Sequence, residues 1–187
     1  MVHCGRKRGD GVKARNISLC SLFAALMALC AWISIPLGDI AFTLQSFAVV
    51  LALLTLGGKW GSVSIVVYLL LGAMGLPVFS GFRGGLGALL GVTGGYIWGF
   101  LLSGLIFWLI TAVFGKKSNL FAAISVMLTC YFCGTAWYYY AYADGTSLPV
   151  IAAKCVLPYL IPDALKLFMA FTIGKRLQKV LSCRGGS

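Results

Sequence analysis

Residues 44–77 read LQSFAVVLALLTLGGKWGSVSIVVYLLLGAMGLP, and Lys59 is the one charge in the stretch. Two apolar runs flank the short break Gly57-Gly58-Lys59-Trp60. The pattern predicts two tight helices, 44–58 and 61–77, turning back on each other at the glycines. The same layout continues in both directions. Arg15 to Asp39 encloses 23 uncharged residues, Asp39 to Lys59 encloses 19, and Lys59 to Arg83 another 23. Arg83 to Lys116 encloses 32, and Lys117 to Asp144 encloses 26. A bilayer-spanning helix needs about 20 mostly apolar residues. The spacing therefore predicts six membrane helices, over 17–36, 44–58, 61–77, 92–114, 119–142 and 162–181. A short extra helix is expected at 147–157.

Composition supports the same class. Of 187 residues, 60% are apolar and 10% charged, whereas soluble domains carry about 45–50% and 25%. The mean hydropathy is +0.97. These values exclude a disordered chain, a coiled coil and a secreted disulfide scaffold, and they argue against an ordinary soluble enzyme. The seven cysteines lie mostly in apolar runs, where a free thiol behaves as a small hydrophobe. The net charge of +11 comes from 15 Lys and Arg against four Asp. Those bases sit between apolar runs rather than on a soluble face, so nucleic acid is not the expected partner.

The bases set the orientation. Arg6, Lys7, Arg8, Lys13, Arg15, Lys59, Lys116, Lys117, Lys175, Arg176, Lys179 and Arg184 fall on one side of a six-span chain. Arg83, Lys154 and Lys166 fall on the other. By the positive-inside rule the first side is cytosolic. The expected class is an all-α integral membrane protein of the bacterial cell membrane, with six transmembrane helices and both termini cytoplasmic. Its divisions are a basic tail (1–16), a membrane domain (17–181) and a C-terminal tail (182–187). The basic start is not read as a signal peptide, because the apolar run is too long and no A-x-A site follows.

Three irregular segments share the opposite, outer face: 36–45, the Gly-rich 75–96, and 144–163. Long loops of this kind are usually functional, and a ligand site is expected there. The sharpest signal is Pro162-Asp163-Ala-Leu-Lys166. Pro suits a first helical turn, so Asp163 is expected near a helix N-terminus, with Lys166 on the same face. Ionisable groups within membrane segments are functional candidates by default. A mere internal ion pair is the plainer reading. As a site, a carboxylate accepts N–H bonds while an ammonium donates to a carbonyl. That combination fits a urea or an amide.

Arg83 follows Ser80-Gly-Phe and precedes Gly84-Gly85-Leu-Gly87, and Gly91-Val-Thr93-Gly-Gly-Tyr96 comes next. Arg83 is a candidate for a ligand carboxylate or for a lipid phosphate. Gly84 allows close approach of backbone to a ligand. Thr43 is read as an N-cap of the second helix and Gln45 as a pocket or packing residue. Tyr138, Tyr139, Tyr140 and Tyr142 look like an interfacial belt. Ala24 and Ala28 form a small-xxx-small pair, either for internal packing or for docking a membrane partner.

Several chemistries are excluded. His3 is the single histidine, so no Ser/His/Asp triad can form in the membrane region. Cys130-x-x-Cys133 has no second ligand pair for zinc, and no metal is expected. The chain has no G-x-x-x-x-G-K-[ST], and so no P-loop.

The motifs Ala41-Phe-Thr-Leu-Gln-Ser-Phe-Ala-Val49, Gly75-Leu-Pro-Val-Phe79, Arg83-Gly-Gly-Leu-Gly87, Gly91-Val-Thr-Gly-Gly-Tyr96 and Val156-Leu-Pro-Tyr-Leu-Ile-Pro-Asp163-x-x-Lys166 together resemble the BioY family. Its members are biotin-binding substrate (S) components of energy-coupling factor (ECF) transporters. The resemblance covers about residues 17–181. The family often has Pro at the Val92 position and Gly at the Pro162 position.

The resemblance implies a high-affinity biotin uptake component, not an enzyme, with biotin as cargo and no cofactor. It implies that Asp163 and Lys166 contact the ureido ring and that Arg83 suits the carboxylate. Phe42, Phe79 and Tyr96 are candidates for an apolar wall. Implied partners are a membrane-embedded coupling (T) subunit, docked at Ala24 and Ala28, and a pair of cytosolic ATPases. Competing readings are the same architecture carrying riboflavin or thiamine, a small lipid-modifying membrane enzyme, and a scaffold subunit without ligand.

Overall fold

The computed structural model describes residues 5–36, 41–115, 118–142 and 145–183. Asp39, Lys116, Lys117, Asp144 and Arg184, which enter the charge reading, lie outside the described residues, as does His3.

Helix α1 spans Gly5–Trp32 and α2 spans Gln45–Ala73. Between them β1 (Ser34–Pro36) pairs antiparallel with β2 (Ala41–Thr43), Ile35 opposite Phe42. A 3₁₀ turn at Ser80–Phe82 and a short α3 (Leu86–Leu90) precede α4 (Gly94–Phe114). Helices α5 (Asn119–Tyr142) and α6 (Leu148–Cys183) complete the chain. Among the described residues, five helices are long and apolar enough to cross a membrane.

Helix α2 is not straight. Gly57 takes φ 80° and ψ 168° inside it, a conformation that glycine adopts without steric cost. A straight helix would separate residues 45 and 68 by about 35 Å. Instead Gln45 Nε2 donates to the Tyr68 hydroxyl at 2.9 Å. The two arms, 45–56 and 58–73, therefore fold back as a hairpin, as the Gly-Gly-Lys-Trp break predicts. A Cβ on Gly61 would lie 2.8 Å from Leu53 Cα, so the arms approach backbone to backbone. With α1, α4, α5 and α6, the described residues form six long helical rods.

The first arm is about 18 Å long, too short to face lipid across a bilayer. It has no need to. Ala48, Val49, Val50, Leu51, Ala52, Leu53 and Leu54 are all buried. A helix that is apolar all round belongs in the centre of a bundle. Met27 and Ala31 of α1, Phe107 of α4, and Ala122 and Val126 of α5 are buried with it. Helices α4 and α5 meet through small residues: a Cβ on Gly95 would strike Trp137, and one on Gly134 would strike the Tyr96 ring. The outer surface is apolar as well. Leu109, Phe121, Leu128, Phe132, Ile161 and Phe168 are exposed, as a lipid-facing belt must be.

Several boundaries differ from expectation. Helix α1 starts at Gly5, inside the expected tail, and stops at Trp32 rather than residue 36. There the Ile33 carbonyl accepts from Leu44 N–H, and the hairpin takes over. The expected helices 147–157 and 162–181 are one helix, α6, with Pro158 and Pro162 inside it. Asp163 therefore lies in mid-helix, and the N-terminal dipole argument does not apply to it. Thr43 ends β2 and caps nothing; Leu44 is the N-cap of α2 and makes no side-chain cap bond. Ala24 and Ala28 are 2% and 8% exposed. Both side chains face the interior of the subunit. The outward side of α1 carries Ile17, Ser21, Leu22, Ala25 and Leu29 instead.

The hairpin predicts unequal glycine sensitivities. Gly61→Ala should cost about 1–3 kcal/mol by overpacking and lower the thermal midpoint of the detergent-purified chain. Gly87, with open space around its Cβ position, should tolerate Ala with a gain of about 0.5–1 kcal/mol. Equal midpoints for both variants would contradict the folded-back packing.

Candidate ligand-binding site

One end of the bundle holds a cavity roofed by irregular segments. Trp32 anchors the roof: its indole N–H donates to the Pro77 carbonyl at 2.7 Å, and its ring stacks on Phe82 at 5.0 Å. Gly85 N–H bonds the Gly72 carbonyl at 2.7 Å, closing the 75–85 loop onto α2. Beneath lies space of about 700 Å³ free of protein atoms, part of it open.

The lining comes from five directions. The hairpin and the start of α2 supply Phe42, Thr43, Gln45 and Ser46, and the loop supplies Ser80. Thr93, Tyr96, Ile97 and Phe100 come from the start of α4. Met127, Cys130 and Tyr131 come from α5, and Tyr159, Asp163 and Lys166 from α6. Most of this wall is aromatic or aliphatic. The charge is confined to one place.

That place is a closed network. Lys166 Nζ donates to Asp163 Oδ1 at 2.6 Å, to the Thr43 carbonyl at 2.6 Å and to Ser46 Oγ at 3.3 Å. It also sits 3.7 Å from the centre of the Phe42 ring, a cation–π contact. The Tyr131 hydroxyl donates to Asp163 Oδ2 at 2.6 Å. The side chains of Lys166 and Asp163 are only 6% and 12% exposed. An ammonium has three protons and all three are engaged. A carboxylate offers about four acceptor positions, of which two are taken among the described residues. Asp163 can thus accept two more N–H bonds. The weakest Lys166 contact, to a rotatable serine hydroxyl, is the one free to exchange for a ligand carbonyl.

Of the residues singled out in the sequence, the structure brings Asp163, Lys166, Gln45, Thr43, Phe42 and Tyr96 to the cavity. Thr43 contributes its backbone carbonyl. Gln45 points its amide at Tyr68, whose hydroxyl donates to the Val78 carbonyl. Tyr96 donates to the Cys155 carbonyl at 3.2 Å, tying α4 to α6. Arg83 is exposed on the roof loop, three residues after Ser80, and does not line the cavity. Gly84 does not line it either. A Cβ there would lie 2.2 Å from the Leu76 carbonyl oxygen, so its close approach is to the loop's own backbone. Phe79 is a core residue, packed edge-on against Tyr68 rather than on a ligand wall. In the tyrosine cluster Tyr140 is 87% exposed, while Tyr142 bonds the Leu90 carbonyl.

Tyr131, Ser46, Thr93 and Tyr159 escaped the sequence reading. Ser46 had a signal, three residues after Thr43 at the start of α2. Tyr131 had none, because its link to Asp163 spans 32 residues.

With the geometry established, comparison with known proteins is informative. The BioY family model matches residues 6–183. The chain belongs to the BioY family. A relative from Pyrococcus horikoshii, "Probable biotin transporter BioY", is 40% identical over 168 residues, covering 89% of this chain and 98% of the relative. "Biotin transporter BioY" from Thermotoga maritima is 37% identical over 182 residues, covering 89% and 97%. The fold matches a solved structure titled "Crystal structure at 2.1 A of the S-component for biotin from an ECF-type ABC transporter". The TM-score is 0.83 at 22% identity, with 90% of this chain and 93% of the other covered. This BioY chain is a multi-pass membrane protein and a transporter component by family, not an enzyme.

The buried pair makes a stability prediction. Lys166→Met leaves the Asp163 carboxylate without its cation, and should cost about 3–5 kcal/mol. The double variant Asp163→Leu/Lys166→Met should recover most of that loss, because no uncompensated charge remains. Thermal unfolding in detergent checks both. A double variant no more stable than Lys166→Met would show that charge pairing is not what Lys166 contributes.

Proposed function

We propose that this chain binds biotin and serves its uptake as the substrate-specific component of an ECF-type transporter. The observation that carries the reading is a carboxylate with unused acceptor positions, held beside an ammonium in an otherwise apolar cavity, in a chain of the BioY family. Biotin's ureido ring presents two N–H groups and one C=O. Asp163 accepts from the N–H side. Lys166 trades its Ser46 contact for the carbonyl. Tyr131 holds the carboxylate in orientation.

The remaining contacts follow from the lining. Phe42, Ile97, Phe100 and Met127 form the wall for the thiophane ring and alkyl chain. Tyr96 and Gln45 brace that wall, and the Thr43 carbonyl fixes the ammonium. The ligand carboxylate points toward the roof loop, where Ser80 lines the cavity and Arg83 and Gly84 follow. Biotin is cargo in this reading, and no cofactor takes part.

The same proposal covers orientation and partners. The chain spans the membrane six times, with the two arms of α2 counted separately and both termini cytoplasmic. Supporting this, Arg15, Lys175 and Lys179 gather with Gly57 at one end of the bundle, while the cavity opens at the other. Biotin therefore enters from outside. The sequence has no P-loop, so ATP hydrolysis falls to a pair of cytosolic ATPases acting through a membrane coupling subunit.

Equilibrium binding of labelled biotin to the detergent-purified chain tests the reading. Asp163→Asn and Lys166→Ala should each abolish tight binding, and Tyr131→Phe should weaken it about fivefold, one hydrogen bond's worth. Arg83→Gln should weaken biotin but not biotinamide, which lacks the carboxylate. A folded wild-type chain that binds no biotin would overturn the assignment and turn attention to another vitamin.

A further inference from the structure

At the end of the bundle opposite the cavity, a groove runs between the middle of α1, the Gly57 bend and the last turns of α6. Arg15 and Asn16 line one side, and Lys175 and Lys179 the other. Trp60 lines it from the bend. Lys175 Nζ lies 4.2 Å from the Phe171 ring centre, which holds that ammonium on α6. Three cations from two helices thus converge on one concavity. Between them Leu19, Leu56 and Leu181 add an apolar lining.

We propose that this groove is a binding site for the phosphate headgroup of an anionic phospholipid. A guanidinium and ammonium groups around one concavity match a phosphodiester. Basic pockets between membrane helices on the cytoplasmic side are a known form of anionic-lipid site. A free phosphate would satisfy the cations but leave the leucines unused, whereas a lipid carries its own apolar chains to them. Trp60 suits the headgroup boundary, where indole rings concentrate. The site joins α1 and α6 across the bend of α2, so an occupied groove braces the hinge on which the helical hairpin turns.

The test uses the full chain in an uncharged detergent, with dioleoyl phosphatidylglycerol and dioleoyl phosphatidylcholine as probes and native mass spectrometry as readout. Wild type should retain one phosphatidylglycerol about tenfold more tightly than phosphatidylcholine. Arg15→Gln/Lys175→Gln/Lys179→Gln should bind the two lipids equally. Lys13→Gln/Arg176→Gln removes two exposed bases outside the groove and should keep the preference. Thermal midpoints of the variants establish that each is folded. Equal retention of both lipids by wild type would overturn the proposal and leave the groove to an acidic side chain of a protein partner. Loss of preference in the Lys13/Arg176 control as well would reduce it to general surface charge. Inorganic phosphate that blocks lipid binding at equal concentration would assign the groove to a free anion instead.

Discussion

The backbone reversal at Gly57 is the feature on which the other packing depends. A positive φ at that position turns α2 through a hairpin and brings Gln45 to Tyr68. The first arm is thereby withdrawn from lipid and surrounded by protein. A membrane core cannot be assembled by hydrophobic burial alone, since lipid tails are as apolar as leucine. Close packing of small and large side chains has to do the work. Here it does so through Gly61 against Leu53, Gly72 against Phe79, and Gly134 against Tyr96.

The same hairpin creates the site. It starts at Gln45, immediately after the two-stranded β hairpin, so the Thr43 carbonyl and the Ser46 hydroxyl lie at the mouth of the cavity. Lys166 reaches across from α6 to both. A buried ammonium is tolerated because each of its protons has an acceptor and its carboxylate partner lies three residues away. Replacing the pair with apolar groups would be the simpler way to fill the space. Asp163 retains acceptor capacity that the described residues do not use.

Expectation and structure diverge where tertiary contacts outweigh local preference. Pro162 is a good first residue for a helix, and the reading placed a helix start there. In the fold Pro158 and Pro162 lie within one long helix, and Asp163 is held by Lys166 and Tyr131 rather than by a helix dipole. Ala24 and Ala28 have a small-xxx-small spacing, but spacing does not say which side of α1 meets α2. Arg83 was conspicuous as a base on the outer loops, yet the loop carries it outside the cavity lining.

The order of charges and apolar runs by itself determined the class of protein, the helical hairpin at Gly57, the close limits of α5, and the Asp163–Lys166 pair as the polar centre. Those features are local: run length, one glycine-rich break, and an i,i+3 spacing. Only the tertiary structure decided which face of α1 is buried, that α6 continues through two prolines, and that Tyr131, Ser46 and the Thr43 carbonyl complete the network. These depend on contacts between residues as far apart as Thr43 and Lys166. Hydropathy periodicity marks which residues avoid water. In a chain with an apolar core and an apolar exterior, it does not distinguish the side facing protein from the side facing lipid.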